Sequence, residues 1–313
     1  MKSNTIFISI ASYRDKLCGD TIKSIYENAK LPNNIYIGIC HQNKYNEENT
    51  EHCLKDFEKY KKNIRIINID HTQAKGPTYA RYLCSTLYKD EDYFLQIDSH
   101  SKFVKNWDIK CILAIKALKN NNISKKPILS HYPRNYEDSH DFENKYNINE
   151  VTYIPDVHNH KIDKYFLYSY SAPHYIDTKN TFIKTILVTG GMIFCEGKFL
   201  EEVPYDPSLD YLFVGEEILH SLRFYTHGYD IFVPNQNIVF HYYTRKEEPK
   251  VWDDNKNFSK LQLNSVEKVV KVFEQNNNSD CNKILGDYGL GNSKTITQFK
   301  NIIKNKYLKD LKK

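Results

Sequence analysis

Seven cysteines are scattered through 313 residues with no CxxC pair and no tight ladder. That odd count without close spacing speaks against a disulfide framework. Cys40, Cys84 and Cys111 lie among apolar neighbours and read as small core residues. No apolar run approaches a membrane span, and the first residues, "MKSNTIFISIASYRD", lack the longer apolar run of a signal peptide. The expectation is a reducing, cytoplasmic compartment, with no membrane partner. A strong charge of one sign is also missing. The net charge is +5, and much of the excess lies at Lys300, Lys304, Lys306, Lys309, Lys312 and Lys313. With a pI near 8.6, the chain lacks the concentrated basic face of a nucleic-acid binder. A nucleotide diphosphate needs only a few local positive groups and stays open as a ligand. No internal repeat is visible.

What is present is ordinary for a folded chain. Hydrophobic residues make up 40% and charged residues 27%, enough for one large domain or two small ones. "TIFISIASYRD" is an apolar run that stops at polar residues, and "NNIYIGICHQN" and "NIRIINIDH" repeat the form. Between them, "DKLCGDTIKSIYENAK" carries Leu17, Ile22, Ile25 and Ala29 at helical spacing. Gly76-Pro77 opens a further helix with Ala80, Leu83, Cys84 and Leu87 on one face. "YFLQIDSH" then supplies a fourth strand. This alternation predicts an α/β fold with a doubly wound, mostly parallel sheet, whose ligands gather beyond the carboxyl ends of the strands.

Residues 120–180 contain strand-like "PILSHYP" and "EVTYIPDV", with much Asn, Asp and His between, and read as a loop-rich insertion over the sheet. The following stretch runs strand, Gly190-Gly191, strand, a helix from about Glu216 and two closing strands. Past Pro249 the composition turns to Lys and Asn, and two amphipathic helices are predicted as a small C-terminal appendage packed on the rest. The domain expectation is a catalytic domain over 1–250, divided at 1–119, 120–180 and 181–250, followed by a helical extension over 251–313.

"YFLQIDSH" is an apolar strand that ends in an acid, a hydroxyl and an imidazole. Alternate residues of an extended segment point the same way, so Asp98 and His100 can face one ion while Ser99 points aside. One carboxylate and one imidazole leave positions open, which suits Mn²⁺. The plain alternative is a turn cap at Asp98 and a surface His100. Downstream, Glu216 and Glu217 open a helix, where acids serve as dipole partners in any case. His241 breaks another apolar strand, "NIVFHYYTR".

As an ordered set, "IFISIASYRD", "DTIKSIYENA", "IYIGICHQN", "GPTYARYLCSTLY", "YFLQIDSHSKF" and "YGLGNSKT" resemble the GT-A-fold glycosyltransferases of family 60, which contains the cytosolic hydroxyproline N-acetylglucosaminyltransferases. More distantly, the chain is similar to the polypeptide N-acetylgalactosaminyltransferases. Their Asp-Ser-His motif matches Asp98, Ser99 and His100, and their late metal-binding histidine matches His241. Their Gly-Glu-Asn segment and Ser-x-Arg helix resemble Gly215-Glu216-Glu217 with Ser221 and Arg223. Glu217 departs from that pattern, and 120–180 has no matching motif.

The resemblance implies a UDP-sugar donor and Mn²⁺ (or Mg²⁺) held by Asp98, His100 and His241. A hydroxylated protein or peptide is the implied acceptor, with retention of anomeric configuration. Ala11, Ser12, Tyr13 and Arg14, at the end of the first strand, are expected under the uridine. Gln42 with Asn43, or Asp70, would read base and ribose, although each is equally a plain turn residue. Arg81 is the expected donor-side cation, against a surface arginine paired with an acid. Arg245 would close over the diphosphate, against a solvated arginine. Gly190 and Gly191 would let backbone approach the sugar, against a simple bulge. Glu216 and Glu217 are the catalytic candidates, with Glu216 assigned to orient the acceptor hydroxyl or the donor sugar, and Asp98 and Ser99 are also counted among the UDP-sugar contacts. UDP-GlcNAc to hydroxyproline is the closest precedent, with UDP-glucose or UDP-galactose transfer to hydroxylysine or galactosyl-hydroxylysine of a collagen-like protein as its rival. A non-catalytic sugar-nucleotide module and a metal-dependent hydrolase are the other classes.

Overall fold

The structure is a computed structural model that describes residues 4–44, 58–136, 149–179, 181–245 and 248–308. Its centre is an eight-stranded sheet in the order β12-β14-β6-β13-β4-β1-β2-β3. These strands are β1 Ile6–Tyr13, β2 Ile35–Asn43, β3 Ile64–Asp70, β4 Tyr93–Asp98, β6 Pro127–Leu129, β12 Ile183–Thr185, β13 Met192–Glu196 and β14 Asp230–Val233. β3, β2, β1 and β4 are mutually parallel, β13 runs against them, and β6 and β14 resume their direction. The predicted mostly parallel sheet is present.

Period-two alternation explains how apolar strands serve both faces. Ile6, Ile8, Ile10, Leu95 and Ile97 pack on one side with helices α1 (Cys18–Asn28) and α3 (Trp107–Asn120). Phe7, Phe94, Ile193 and Cys195 turn to the other side, against Phe199 and Phe224. Helix α2 (Pro77–Ser85) starts after Gly76 at φ +85° and lays Ala80 and Cys84 on Cys40. Cys18, Cys40, Cys84, Cys111, Cys195 and Cys281 are all buried free thiols; Cys53 lies outside the described residues.

The stretch over 120–180 differs from the expectation. Its described part is strand-rich rather than loop-rich. β6 belongs to the central sheet. β8 (Glu150–Tyr153) pairs with β11 (His174–Asp177), and β9 (Val157–Ile162) with β10 (Tyr165–Tyr170). β6 and β8 fall in the two strand-like stretches, whereas β9, β10 and β11 were obscured because half-exposed ribbons carry polar residues on one face. A separate small sheet, β5-β15-β7, joins Ser101–Phe103, Val239–His241 and Arg134–Asn135.

The chain after 250 is richer in helices than predicted. α4 (Phe199–Glu202) and α5 (Glu216–Thr226) precede it. Five short helices follow: α6 (Val251–Asp254), α7 (Phe258–Leu261), α8 (Leu263–Glu274), α9 (Asn278–Leu285) and α10 (Ile296–Ile302). They pack on the rest, as expected. Val266, Val269, Val272 and Phe299 share one apolar cluster with Ile218, Leu219 and Leu222 of α5 and Leu167 of β10. They therefore close a core and are not a hanging appendage. The end of "YGLGNSKT" seals this contact, with Ser293 N–H donating to Thr226 O at 2.9 Å. A Cβ on Gly291 would lie 2.7 Å from both His227 Cα and Thr226 O.

Those obstacles are backbone atoms and cannot swing away. Gly291→Ala should lower folding stability by about 1–3 kcal/mol, as overpacking does. Gly286→Ala, at φ +58° with nothing within 4 Å, should cost on the order of 1 kcal/mol from backbone strain alone. Urea unfolding midpoints at constant m-value compare the two.

Candidate active site

A cavity of about 460 Å³ opens beyond the carboxyl ends of β1, β2 and β4, with Ala11, Tyr13, Gln42 and Asp98 on its wall. It is of the size that binds small organic ligands. At one side, Asp98, His100 and His241 each offer a ligand atom, all within 4.8 Å of one another. Local backbone explains the convergence. β4 ends at Asp98, the chain bends, and β5 begins at Ser101. β15 pairs His241 with Ser101, and Tyr242 N–H donates to His100 O at 3.0 Å. The imidazoles lie 4.4 Å apart between centroids, and His241 Nε2 is 3.2 Å from Asp98 Oδ2.

Protonation suits metal ligation. Burial opposes ionisation of Asp98, but the hydrogen bond from His241 and the charge of Arg81 hold its carboxyl well below the usual range. Burial lowers His241, against the pull of Asp98, and so favours the neutral imidazole. His100 Nδ1 is 2.6 Å from Asp15 Oδ2, which leaves Nε2 as its outward nitrogen. Metal-binding histidines are oriented by such a carboxylate. Among the described residues His241 has no equivalent partner at Nδ1, and its ring packs instead against Tyr243, 4.1 Å between centroids. One carboxylate and two imidazoles, one of them pre-oriented, fit Mn²⁺ or a similar divalent ion.

Asp15 escaped the sequence reading. It follows β1 and shows only the outward sign of a helix-start acid, a role it also fills: Oδ1 accepts from Leu17 N–H at 2.9 Å. Its Oδ2 takes the Ser99 hydroxyl at 2.5 Å and lies 3.6 Å from Arg245 Nη2. Burial works against its charge, yet His100, Arg245 and Ser99 together lower it to about 2. The Ser99 hydroxyl is thus committed to Asp15, which is what pointing aside means here.

Arg81 is not a surface arginine. It is 6% exposed. Its Nη1 donates to Glu216 Oε2 at 2.7 Å, and its Nη2 to Asp98 Oδ1 and Gly190 O, both at 3.2 Å. Glu216 opens α5, and its Oε1 lies 3.3 Å from His220 Nδ1. Burial opposes its charge; Arg81 and His220 outweigh that and lower it. Glu217 takes the Gly190 N–H on Oε1 at 2.6 Å. Burial and the charge of Glu216 raise it to about 7.

The other expected residues divide. Tyr13, Gln42, Gly190, Gly191 and Arg245 line the cavity; Ser12, Arg14 and Asp70 do not. Alternation along β1 turns Ser12 away from Ala11 and Tyr13. Arg14 pairs with Asp254 at 2.6 Å, and Tyr13 OH donates to the same carboxylate at 2.6 Å. Asp70 caps the turn at His71–Gln73 by accepting from Thr72 N–H at 2.9 Å. The glycine pair is needed for internal reasons. A Cβ on Gly190 would lie 3.0 Å from Arg81 Nη2, and one on Gly191 2.8 Å from the Pro133 ring. Besides Asp15, the sequence reading missed the aromatic wall, among it Tyr132, Tyr168, Tyr170, Tyr243, Phe213 and Trp252. In a chain with 25 tyrosines, no single one stands out by pattern.

A family profile described as "Glycosyltransferase (GlcNAc)" matches residues 5–59 and 47–307. No curated protein sequence matches the chain. Among solved structures, GalNAc-T7 with UDP, GalNAc and Mn²⁺ superposes with a TM-score of 0.60 at 14% identity, over 96% of this chain and 57% of that one. TarS of S. aureus (residues 1–349) with UDP-GlcNAc gives 0.49 at 11% identity, over 91% and 71%. The chain thus spans little more than half of GalNAc-T7, and its fold is GT-A, the architecture of these glycosyltransferases.

Removing Arg81 strips the buried Glu216 of its guanidinium partner and, among the described residues, leaves the half-buried Asp98 with His241 alone. Arg81→Met should cost about 3–5 kcal/mol, as breaking a buried ion pair does. Adding Glu216→Gln should recover part of that loss, because the buried carboxylate left without its guanidinium is then removed. Denaturant unfolding of the three proteins measures the difference.

Proposed function

The chain belongs to the GlcNAc glycosyltransferase family, and from that premise we propose a retaining, Mn²⁺-dependent transfer of a sugar from UDP to a hydroxyl on a hydroxylated protein side chain. N-acetylglucosamine as the sugar and hydroxyproline as the acceptor rest on the resemblance to family 60. The observation that carries the reading is the convergence of Asp98, His100 and His241 beside a cavity at the strand ends. GalNAc-T7, which shares the fold, holds UDP, GalNAc and Mn²⁺ in its solved structure.

In this reading Asp98, His100 and His241 hold the divalent ion, which supplies Lewis acidity for the departing diphosphate. Asp15 fixes the ring of His100 and leaves its outer nitrogen free. Arg245 lines the cavity near Asp15 and offers positive charge to the phosphates. The uridine lies toward Ala11, Tyr13 and Gln42, where Asp254 anchors the Tyr13 hydroxyl. Arg81 contributes less as a free cation than as the brace that keeps Asp98 and Glu216 ionised and in place.

Glu216 has both oxygens in contact with protein groups, at Arg81 and His220. That argues against a freely attacking nucleophile under the anomeric carbon. Each oxygen retains a lone pair to accept the acceptor hydroxyl, so Glu216 orients the acceptor. A front-face path through an oxocarbenium-like state then needs positioning above all. The departing phosphate takes the acceptor's proton. Tyr168, Ser169, Tyr170 and Ser171 come from the 120–180 segment and line the cavity, which supports a role for that segment in acceptor choice.

A donor screen reading released UDP, with Mn²⁺ and a hydroxyproline peptide, should select UDP-GlcNAc, and EDTA should abolish turnover. Glu216→Gln should lower turnover by about 10²–10³-fold while UDP binding by calorimetry survives. UDP binding with no transfer from any donor would sink the enzymatic reading. Separately, Asp15→Asn should weaken Mn²⁺ binding by about 10–100-fold, measured by calorimetry on chelator-treated protein.

A further inference from the structure

Gln96 interrupts the apolar run of β4 two residues before Asp98. It is fully buried, where an amide left unpaired would be costly. Its side-chain partners lie beside the site. Nε2 donates to Gly190 O at 2.7 Å, and Oε1 accepts from the Tyr205 hydroxyl at 2.6 Å. A carbonyl can only accept, so the amide nitrogen must face Gly190. The amide oxygen must then face Tyr205, whose hydroxyl has to donate. Tyr205 is 2% exposed and is held by ring contacts with Phe94, Phe199 and His220. The direction of each hydrogen bond in this chain is thus fixed.

The chain ends on Arg81. Gly190 O also accepts from Arg81 Nη2 at 3.2 Å, and the same nitrogen reaches Asp98 Oδ1 at 3.2 Å. Both lone pairs of that carbonyl are then in use, one by Gln96 and one by Arg81. The N–H of Gly190 goes to Glu217 Oε1 at 2.6 Å, so the peptide is tied at both ends. Gly191 abuts the acid itself: a Cβ there would lie 3.6 Å from Asp98 Oδ2. Alternation along β4 puts Gln96 and Asp98 on one face of the strand. Gln96 therefore supports, through the glycine turn, the acid that its own strand presents.

We propose that Gln96 and Tyr205 are positioning residues for the Asp98 carboxylate. The Tyr205 hydroxyl orients the Gln96 amide, and the amide fixes the Gly190 carbonyl. The carbonyl in turn steers the Arg81 nitrogen that holds Asp98 in place for a divalent ion. Neither Gln96 nor Tyr205 lines the cavity, and both act through Gly190. The role toward the ion rests on the reading of Asp98, His100 and His241 as its ligands. The relay itself rests on the hydrogen bonds alone.

Two measurements separate the relay from the role. Urea unfolding in EDTA needs no ligand. Gln96→Met leaves the buried Tyr205 hydroxyl without its acceptor, and Tyr205→Phe leaves Gln96 Oε1 without its donor. The double variant leaves neither atom unpaired, so it should lose clearly less stability than the two single losses added together. Losses that simply add would overturn the relay. Calorimetry with Mn²⁺ on chelator-treated protein tests the role. Gln96→Met should weaken binding by about tenfold, Tyr205→Phe by less, and the double variant by no more than Gln96→Met. Leu95→Val thins the core on the other face of β4 and should keep the wild-type affinity. Unchanged affinity in Gln96→Met, or an equal loss in Leu95→Val, would end the positioning role. Tyr205→Phe keeps the ring packing, so unchanged affinity there would remove the hydroxyl from it. A wild type that binds no Mn²⁺ would sink the metal reading instead. The positioning role would fall with that reading, while the coupled stability losses would stand.

Discussion

The site depends on one buried cation. Arg81 comes from a short helix that opens at Pro77, yet it joins the end of β4 to the start of α5 through Asp98 and Glu216. A guanidinium this far from water is stable only if acids replace the lost hydration. The reverse also holds in part, because Arg81 is the main group that keeps the buried Glu216 ionised and, after His241, the next to favour the charge of Asp98. Arg81 therefore acts on the charge of a metal ligand and of the proposed acceptor-orienting acid together. It also explains Gly190. A side chain there would press on the guanidinium nitrogens, so the glycine makes room for the brace and not merely for a sugar.

A second constraint is register. His241 reaches the cluster because β15 pairs with β5 at His241 and Ser101, directly after the bend that carries His100. A slip of one residue would turn His241 to the opposite face. The small sheet is thus a positioning device set beside the main one. The main sheet delivers Asp98 by ending, and the small sheet returns a histidine from more than a hundred residues downstream. Asp15 locks the result from beneath with a carboxylate that reaches His100, Ser99 and Arg245.

Much of this was legible in the chain. β1 to β4 read clearly because buried parallel strands are continuous apolar runs with abrupt polar ends. Asp98, His100 and His241 stood out because each interrupts such a run. Arg81 was visible as a candidate but not in its role, since only packing reveals that a helix face looks inward at two acids. Asp15 was invisible for the opposite reason: an acid after a strand and before a helix is explained by the turn alone. The polar ribbons of β9 to β11 gave no periodic signal strong enough to separate them from loop. The helices after 250 were undercounted because α6 and α7 are four residues each. Ser12, Arg14 and Asp70 were grouped with true cavity residues by position in sequence, which cannot distinguish the two sides of a strand end.

Helix α5 ties these levels together. Ile218, Leu219 and Leu222 bury it under the C-terminal helices, while Phe224 turns to the sheet. Between them Ser221 donates to Glu217 O at 2.8 Å and accepts from Val188 N–H at 2.9 Å. Tyr170 OH donates to Val188 O at 2.7 Å. The strand approach to Gly190 is therefore hung from the same helix that presents Glu216 and Glu217, so the carboxyl of Glu217 and the amide that binds it move as one body. The serine that the resemblance to the N-acetylgalactosaminyltransferases singled out has a structural account here. It holds the acids and the glycine loop in mutual register, and the packing of residues far beyond the site, up to Phe299, keeps that helix in place.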